Sequence, residues 1–398
     1  MKILLVCESS FKYESGGRVV RYLNKILKSK GHQVKLIVLS GKREDYELDS
    51  FYKENDIEFL PFRKNLKNRM ANIALSTREI RHYKDILTSY QPEIVHFSSF
   101  DHGKPAQFIT IAKKIGARVV LQPWTMQFYC EQGFGFRNEH KCNLCANGNY
   151  LNALTKKCTT LRGLPLALER TVLQKAALKA DVFLSSNSEL DEILKTYGVL
   201  DSQLARFPVP FDYTFMEPKA MPETDYSIFF GQPNMHKGLG VLIKVFEKLP
   251  ELKLKIYPLS NLPEHTFSGD NVDVISGLSW SSGLADAIAS AGIVLLPTLW
   301  SSSTEYALCE ALLFKKPVIL FNVGVHKHYF KNGFNALVIE PGDVDAFADA
   351  VRRMSQDPEL RRVIGENGYK TLLEVNNPEK VYSQLMAAYT KNSSGIEN

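Results

Sequence analysis

Short apolar runs alternate with longer amphipathic segments from one end of the chain to the other. In the first half, the runs at 3–7, 34–39, 57–60, 94–97, 119–122 and 182–185 read as strands buried on both faces. The clearest helical pattern between them covers residues 16–31, where Val20, Leu23, Ile26 and Leu27 share one face and Gly31 supplies the stop. The second half repeats the plan. Strands are predicted at 226–230, 252–257, 272–275, 293–297, 318–321 and 336–339, and helices at 238–248, 281–291, 304–315, 344–355, 358–373 and 378–391. Nearly continuous apolar strands separated by helices predict parallel sheets covered on both faces, and the short connections favour doubly wound sheets over a barrel.

Residues 207–225 hold four prolines and no clean period, the mark of a linker. The chain therefore divides into an N-terminal domain at 1–210, a linker at 211–225, a C-terminal domain at 226–375, and a helix at 376–398 expected to pack back on the N-terminal domain. A length of 398 residues suits two domains. The predicted class is α/β, with two doubly wound Rossmann-like domains facing across a cleft at the carboxyl ends of both sheets.

Composition narrows this further. With 44% hydrophobic and 23% charged residues, disorder and coiled coil are excluded. Six cysteines are too few for a disulfide scaffold. The opening apolar run, Ile3 to Cys7, is too short for a signal-peptide core, which predicts a cytoplasmic location. Charge is uneven: residues 1–210 carry a net +11 and residues 211–398 a net −5, as expected if each half meets a different partner. Residues 63–84 carry Arg63, Lys64, Lys67, Arg69, Arg78, Arg81 and Lys84 against Glu79 alone, which suits peripheral contact with an anionic inner membrane face or a solvated helical face. No aromatic comb or recognised module accompanies these charges, so nucleic acid is not expected as a partner.

Candidate chemistry lies at strand-to-helix junctions. Gly16 and Gly17 open the first helix, where a ligand phosphate can approach backbone N–H groups; a plain turn is the alternative. After the strand ending near Pro297 come Ser301, Ser302, Ser303 and Thr304, then a helix from about Glu305. These hydroxyls suit helix capping or the binding of phosphate and sugar. Glu310 stands in the otherwise apolar stretch ALCEALLF, where a carboxylate needs partners, and hydroxyl binding supplies them. Gln232, His236 and Lys237 follow the first strand of the second half, and Lys237 ahead of a helix can neutralise a phosphate. Cys130, Cys142, Cys145 and Cys158 fall in one irregular insertion at 130–158. Their spacing predicts a structural zinc knuckle, with reduced cysteines packing a loop as the alternative. Cys7 and Cys309 read as core thiols.

The segments SGGRVVRYLNKILKSKGHQVKLIVL, QPEIVHFSS, FFGQPNMHKGLGVLIKVFEKLP, GIVLLPTLWSSSTEYALCEALLFKKPVIL and NGFNALVIEPGDVDAFADAV, in that order, resemble the retaining nucleotide-sugar glycosyltransferases of family 4. The segment GARVVLQPWTMQFYC…CNLC resembles members with a cysteine-rich insertion. The resemblance implies a glycosyltransferase-B fold and a retaining hexosyltransferase. A UDP- or GDP-sugar would be the donor and a glycan or lipid-linked molecule the acceptor, in cell-surface polysaccharide or glycolipid synthesis. It implies that Glu310 holds the ribose hydroxyls and Lys237 the diphosphate. Gly16 and Gly17 would close over phosphates and sugar, and N–H groups near Ser303, Thr304, Glu305 and Tyr306 would assist. The chain departs from the pattern where the first of two paired glutamates falls on Ser302 and a phosphate-binding arginine on Gln232. A histidine-aspartate pair falls on Trp124-Thr125, a further acidic position on His328 and a glycine on Ala336. Catalysis is accordingly assigned to Gly17, His96 and Trp124, with His102 another candidate. No cofactor is expected for the chemistry. The competing readings are a catalytically impaired partner subunit that binds glycan or nucleotide, and a sugar-nucleotide epimerase of related architecture.

Overall fold

The computed structural model describes residues 1–8, 15–39, 50–60, 78–100, 106–137, 140–213, 216, 218, 221–262, 266–267, 269–280, 282–301, 303 and 305–391. Residues 63–77 of the basic stretch, His102, Ser302 and Thr304 lie outside them. The chain divides into two compact units. The first comprises Met1–Gly135, Cys142–Asp212 and Pro378–Asn398, and the second Phe136–Lys141 and Tyr213–Asn377.

The first unit is built on β1 (Lys2–Cys7), β2 (Gln33–Val38), β3 (Asp56–Phe59), β4 (Ile94–Phe97) and β5 (Arg118–Leu121). The short hairpin strands β6 (Phe136–Arg137) and β7 (His140–Lys141) follow and belong to the second unit; β8 (Val182–Ser185) and β9 (Leu204–Arg206) return to the first. Its sheet is parallel, in the order β3-β2-β1-β4-β5-β8-β9. β9 is an addition to the predicted strands. Among the described residues it pairs with β8 alone, an edge position with no apolar run to mark it, and its Arg206 is tied to Asp191.

The described helices of this unit are α1 (Ser15–Ser29), α2 (Ser50–Glu54), α3 (Arg78–Tyr90), α4 (Ala106–Lys114), α5 (Asn152–Thr155), α6 (Leu164–Ala177) and α7 (Ser188–Tyr197). α1 buries Val19, Val20, Leu23, Ile26 and Leu27, the stripe its period predicts.

The second unit carries β10 (Tyr226–Gly231), β11 (Lys253–Pro258), β12 (Val272–Val274), β13 (Ile293–Leu296), β14 (Val318–Phe321) and β15 (Leu337–Ile339). They form a parallel sheet in the order β12-β11-β10-β13-β14-β15. Its helices are α8 (Leu239–Glu247), α9 (Leu284–Ser290), α10 (Tyr306–Leu313), α11 (His326–Tyr329), α12 (Val344–Gln356) and α13 (Pro358–Val375). Asp343 caps α12 by accepting from the Ala346 N–H at 2.9 Å, and Asp357 caps α13 through Leu360 N–H at 2.8 Å. The last helix, α14 (Pro378–Thr390), lies on the first unit. Lys30 Nζ meets Glu379 at 2.7 Å, and His32 Nε2 meets the Tyr382 hydroxyl at 2.9 Å.

Strand order reverses between β1 and β4 in one sheet and between β10 and β13 in the other. In a doubly wound sheet, the loops leaving the carboxyl ends of those strand pairs diverge and open a crevice, where ligands of such sheets bind.

Candidate functional site

In the second unit, β10 ends at Gly231 and is followed by exposed Gln232 and a tight turn over Met235–Lys237. The next residue, Gly238, has φ +85°, and an added Cβ would lie 2.1 Å from the Pro297 carbonyl oxygen. Only glycine permits this approach to the end of β13. The Leu299 N–H donates to the His236 carbonyl at 2.9 Å and fastens the two loops together. Lys237 is thereby delivered to the residues that follow β13.

Its ammonium donates to Glu305 Oε1 at 2.7 Å and lies 5.6 Å from the centre of the Trp300 ring. The same carboxylate oxygen accepts from the buried Thr298 hydroxyl at 2.7 Å. Glu305 Oε2 faces His326 Nε2 at 3.2 Å, and His326 Nδ1 lies 2.9 Å from the Phe321 carbonyl. A buried carboxylate is costly unless paired. Burial alone would raise the Glu305 carboxyl pKa, but Lys237 and His326 outweigh it and hold the group well below the usual carboxylate range. His236 is pushed down to about 4, first by burial and then by adjacent Lys237, with Glu305 opposing. Its ring packs edge-on to Trp300 at 6.0 Å.

Glu305 also occupies the N-cap position of α10, where its side chain makes no capping bond. Tyr306 begins the helix, and Glu310 within it is buried, as is Ser303 ahead of it. The structure thus brings Lys237 and Glu305 together beside the switch point and leaves Gln232 exposed just past β10. Thr298 and His326 were missed by sequence reasoning. The only signal for them was their position just beyond the ends of β13 and β14.

In the first unit, Gly16 and Gly17 form the opening turn of α1. An added Cβ on Gly16 would meet Trp124 Cζ3 at 2.9 Å, so glycine allows the indole to lie against the start of the helix. His96 lies elsewhere. It is fully buried on β4, its Nδ1 is 2.8 Å from the Tyr389 hydroxyl of α14, and burial lowers its pKa to about 3.

The expectation of a structural zinc knuckle is corrected. Among the described residues no group of three or more His, Cys, Asp or Glu side chains is arranged to hold a metal ion. Cys130 and Cys145 pack against the hydrophobic core, and Cys158 Sγ approaches the Lys156 carbonyl at 3.9 Å. Burial, with Cys130 adding to it, pushes the Cys145 thiol up to about 11.

Comparison with solved structures places this geometry in a known fold. A glycosyltransferase from Rickettsia africae aligns over 98% of this chain and 99% of its own, with a TM-score of 0.68 and 15% identity. Anabaena HepE in complex with UDP aligns over 98% and 100%, with a TM-score of 0.70 and 12% identity. The fold is GT-B. Within it, residues 214–371 match the family described as Glycosyl transferases group 1. This GT-B chain is 25% identical to the MMP alpha-(1->4)-mannosyltransferase of Mycolicibacterium hassiacum over 218 residues, which is 52% of this chain and 53% of that protein. The chain therefore spans about half the length of the curated relatives it matches first. Among the described residues, no helix is long and apolar enough to cross a membrane.

Proposed function

We propose that the protein is a retaining glycosyltransferase of family 4 that moves a hexose from a nucleoside-diphosphate sugar to a hydroxyl of a glycan or lipid-linked acceptor. The reading places it in cell-surface polysaccharide or glycolipid synthesis, in the cytoplasm or peripherally on the inner membrane face. One observation carries it: inside the segment matching the group 1 family, Lys237 and buried Glu310 follow the two strands that flank the switch point of the second sheet.

In this mechanism the nucleoside diphosphate leaves from the anomeric carbon. Lys237 and the N–H groups at the start of α10 meet the charge growing on it. Glu310 accepts hydrogen bonds from the ribose hydroxyls. Gly16 and Gly17 admit the phosphates and reacting sugar, and Trp124, already against Gly16, offers a flat apolar surface to a sugar face. Attack by the acceptor hydroxyl on the face the diphosphate leaves gives retention. His96 receives no part in the chemistry, because its ring is buried and engaged by Tyr389.

A second reading, a nucleotide- or glycan-binding partner subunit without turnover, draws support from the pairing of Lys237 with Glu305, which neutralises the cation assigned to the leaving group. A panel of UDP- and GDP-sugars, followed by thermal shift and nucleoside diphosphate release, separates the two. Binding with release supports the transferase, and the anomeric coupling constant of the glycoside then reports retention. Binding without release on any acceptor supports the partner subunit. No shift with any nucleotide rejects the transferase and leaves a glycan-binding partner subunit.

A further inference from the structure

Lys237, which its sequence position suits to neutralising a phosphate, is already partnered in the structure. Three side chains converge on the Glu305 carboxylate: Lys237 Nζ and Thr298 Oγ1, each 2.7 Å from Oε1, and His326 Nε2, 3.2 Å from Oε2. The grip is graded by depth. His326 is fully buried, its Nδ1 2.9 Å from the Phe321 carbonyl and its Nε2 facing Glu305 Oε2. Thr298 is also fully buried. Lys237 is the outer member, with 20% of its side chain exposed against 5% for Glu305. Buried Thr298 holds the carboxylate from the inner side, with His326 facing its other oxygen, while the lysine is the member that a ligand can reach.

We propose that Glu305 is a built-in counter-anion that holds the Lys237 ammonium in place of a ligand phosphate. Lys237 exchanges this carboxylate for the diphosphate when nucleotide binds, and the buried Thr298 hydroxyl keeps Glu305 in position. The identity of the ligand rests on the transferase reading above; the exchange itself rests on the contacts just described. Glu305 then restrains affinity in two ways. Binding must draw Lys237 away from a close partner, and a fixed negative charge stays beside the arriving anion. The restraint hastens release of the diphosphate product, so Glu305 is a positioning residue that tunes turnover without touching the sugar.

The test is calorimetric titration of UDP and, separately, of inorganic pyrophosphate into the wild type, Glu305→Gln, Lys237→Met and the double variant. Glutamine preserves the shape, leaves one oxygen for Lys237 and Thr298, and offers an N–H to His326. Glu305→Gln is expected to bind UDP about tenfold more tightly, equivalent to ~1.4 kcal/mol. The gain should vanish in the Lys237→Met background, because it acts through that ammonium. Glu305→Asp, whose carboxylate is withdrawn by one methylene, should show a smaller gain in the same direction and serves if the glutamine variant fails to fold. UDP binding to the wild type with unchanged or weaker binding to the folded Glu305 variants overturns the exchange and leaves the transferase reading standing. Pyrophosphate binding that tightens on removal of the carboxylate, with no response to UDP, supports the exchange and counts against the transferase reading. Binding of neither anion to any variant overturns both.

Discussion

Replacing Gly238 with alanine puts a methyl group 2.1 Å from the Pro297 carbonyl oxygen and 2.7 Å from its carbonyl carbon. Neither backbone atom can turn aside as a side chain would. The residue also sits at φ +85°, which by itself costs an L-residue with a Cβ roughly 1–2 kcal/mol. Gly277 separates the two penalties, since it has the same φ but, among the described residues, nothing within 4 Å of where a methyl group would stand. Gly277→Ala therefore carries the conformational cost alone. Gly238→Ala adds the overlap, and forced overpacking costs about 1–3 kcal/mol. At about 2–4 °C per kcal/mol for a domain of this size, Gly238→Ala should melt about 6 °C below Gly277→Ala. Differential scanning calorimetry of the two variants measures this directly. Titration with UDP should show weaker binding to Gly238→Ala only, because the shift moves Lys237 off its support. Melting of both variants within about 1 °C of each other would refute the claim that this glycine is required by the approach of the two loops.

Other outcomes follow from the same geometry. Glu310→Gln should weaken UDP binding about tenfold if the carboxylate receives ribose hydroxyls, as loss of a charged hydrogen bond does; equal affinity by calorimetry would remove Glu310 from the site. His96 has its pKa lowered to about 3, so in the native state it stays neutral while the unfolded chain takes up a proton below about 6.5. Its contribution is full above that pH and declines as pH falls toward the folded value, with a slope of about 1.4 kcal/mol per unit. His96→Gln should therefore flatten the fall in melting temperature between pH 6 and pH 4, and parallel curves would contradict this. Gly16→Ala should displace the Trp124 indole, shifting one of three resonances in a 5-fluorotryptophan-labelled sample; an unmoved spectrum would place the ring elsewhere.

Much of the framework was legible in the chain. The β4, β8 and β14 runs were located to the residue, and α1 was found from its buried stripe, because both signals are local and repeat with the period of the element. β9 escaped because an edge strand of three residues has no apolar run. The site was legible only as a set of residue types. Lys237 and Glu305 were each singled out, yet as separate contributors to ligand binding. The four cysteines show the same limit in reverse: a spacing that suits a metal did not produce one in space among the described residues.

The sequence by itself determined the alternation of strands and helices, and with it two parallel, doubly wound sheets, since burial on both faces leaves its mark on the interior strands. Only the tertiary structure decided that Lys237 meets a carboxylate 68 positions away, that the buried Thr298 hydroxyl donates to it, and that His326 faces its other oxygen. No local period encodes such a meeting. It arises because separate loops leave neighbouring strands at the same edge of the sheet, and a buried charge there is tolerated only when their side chains converge on it.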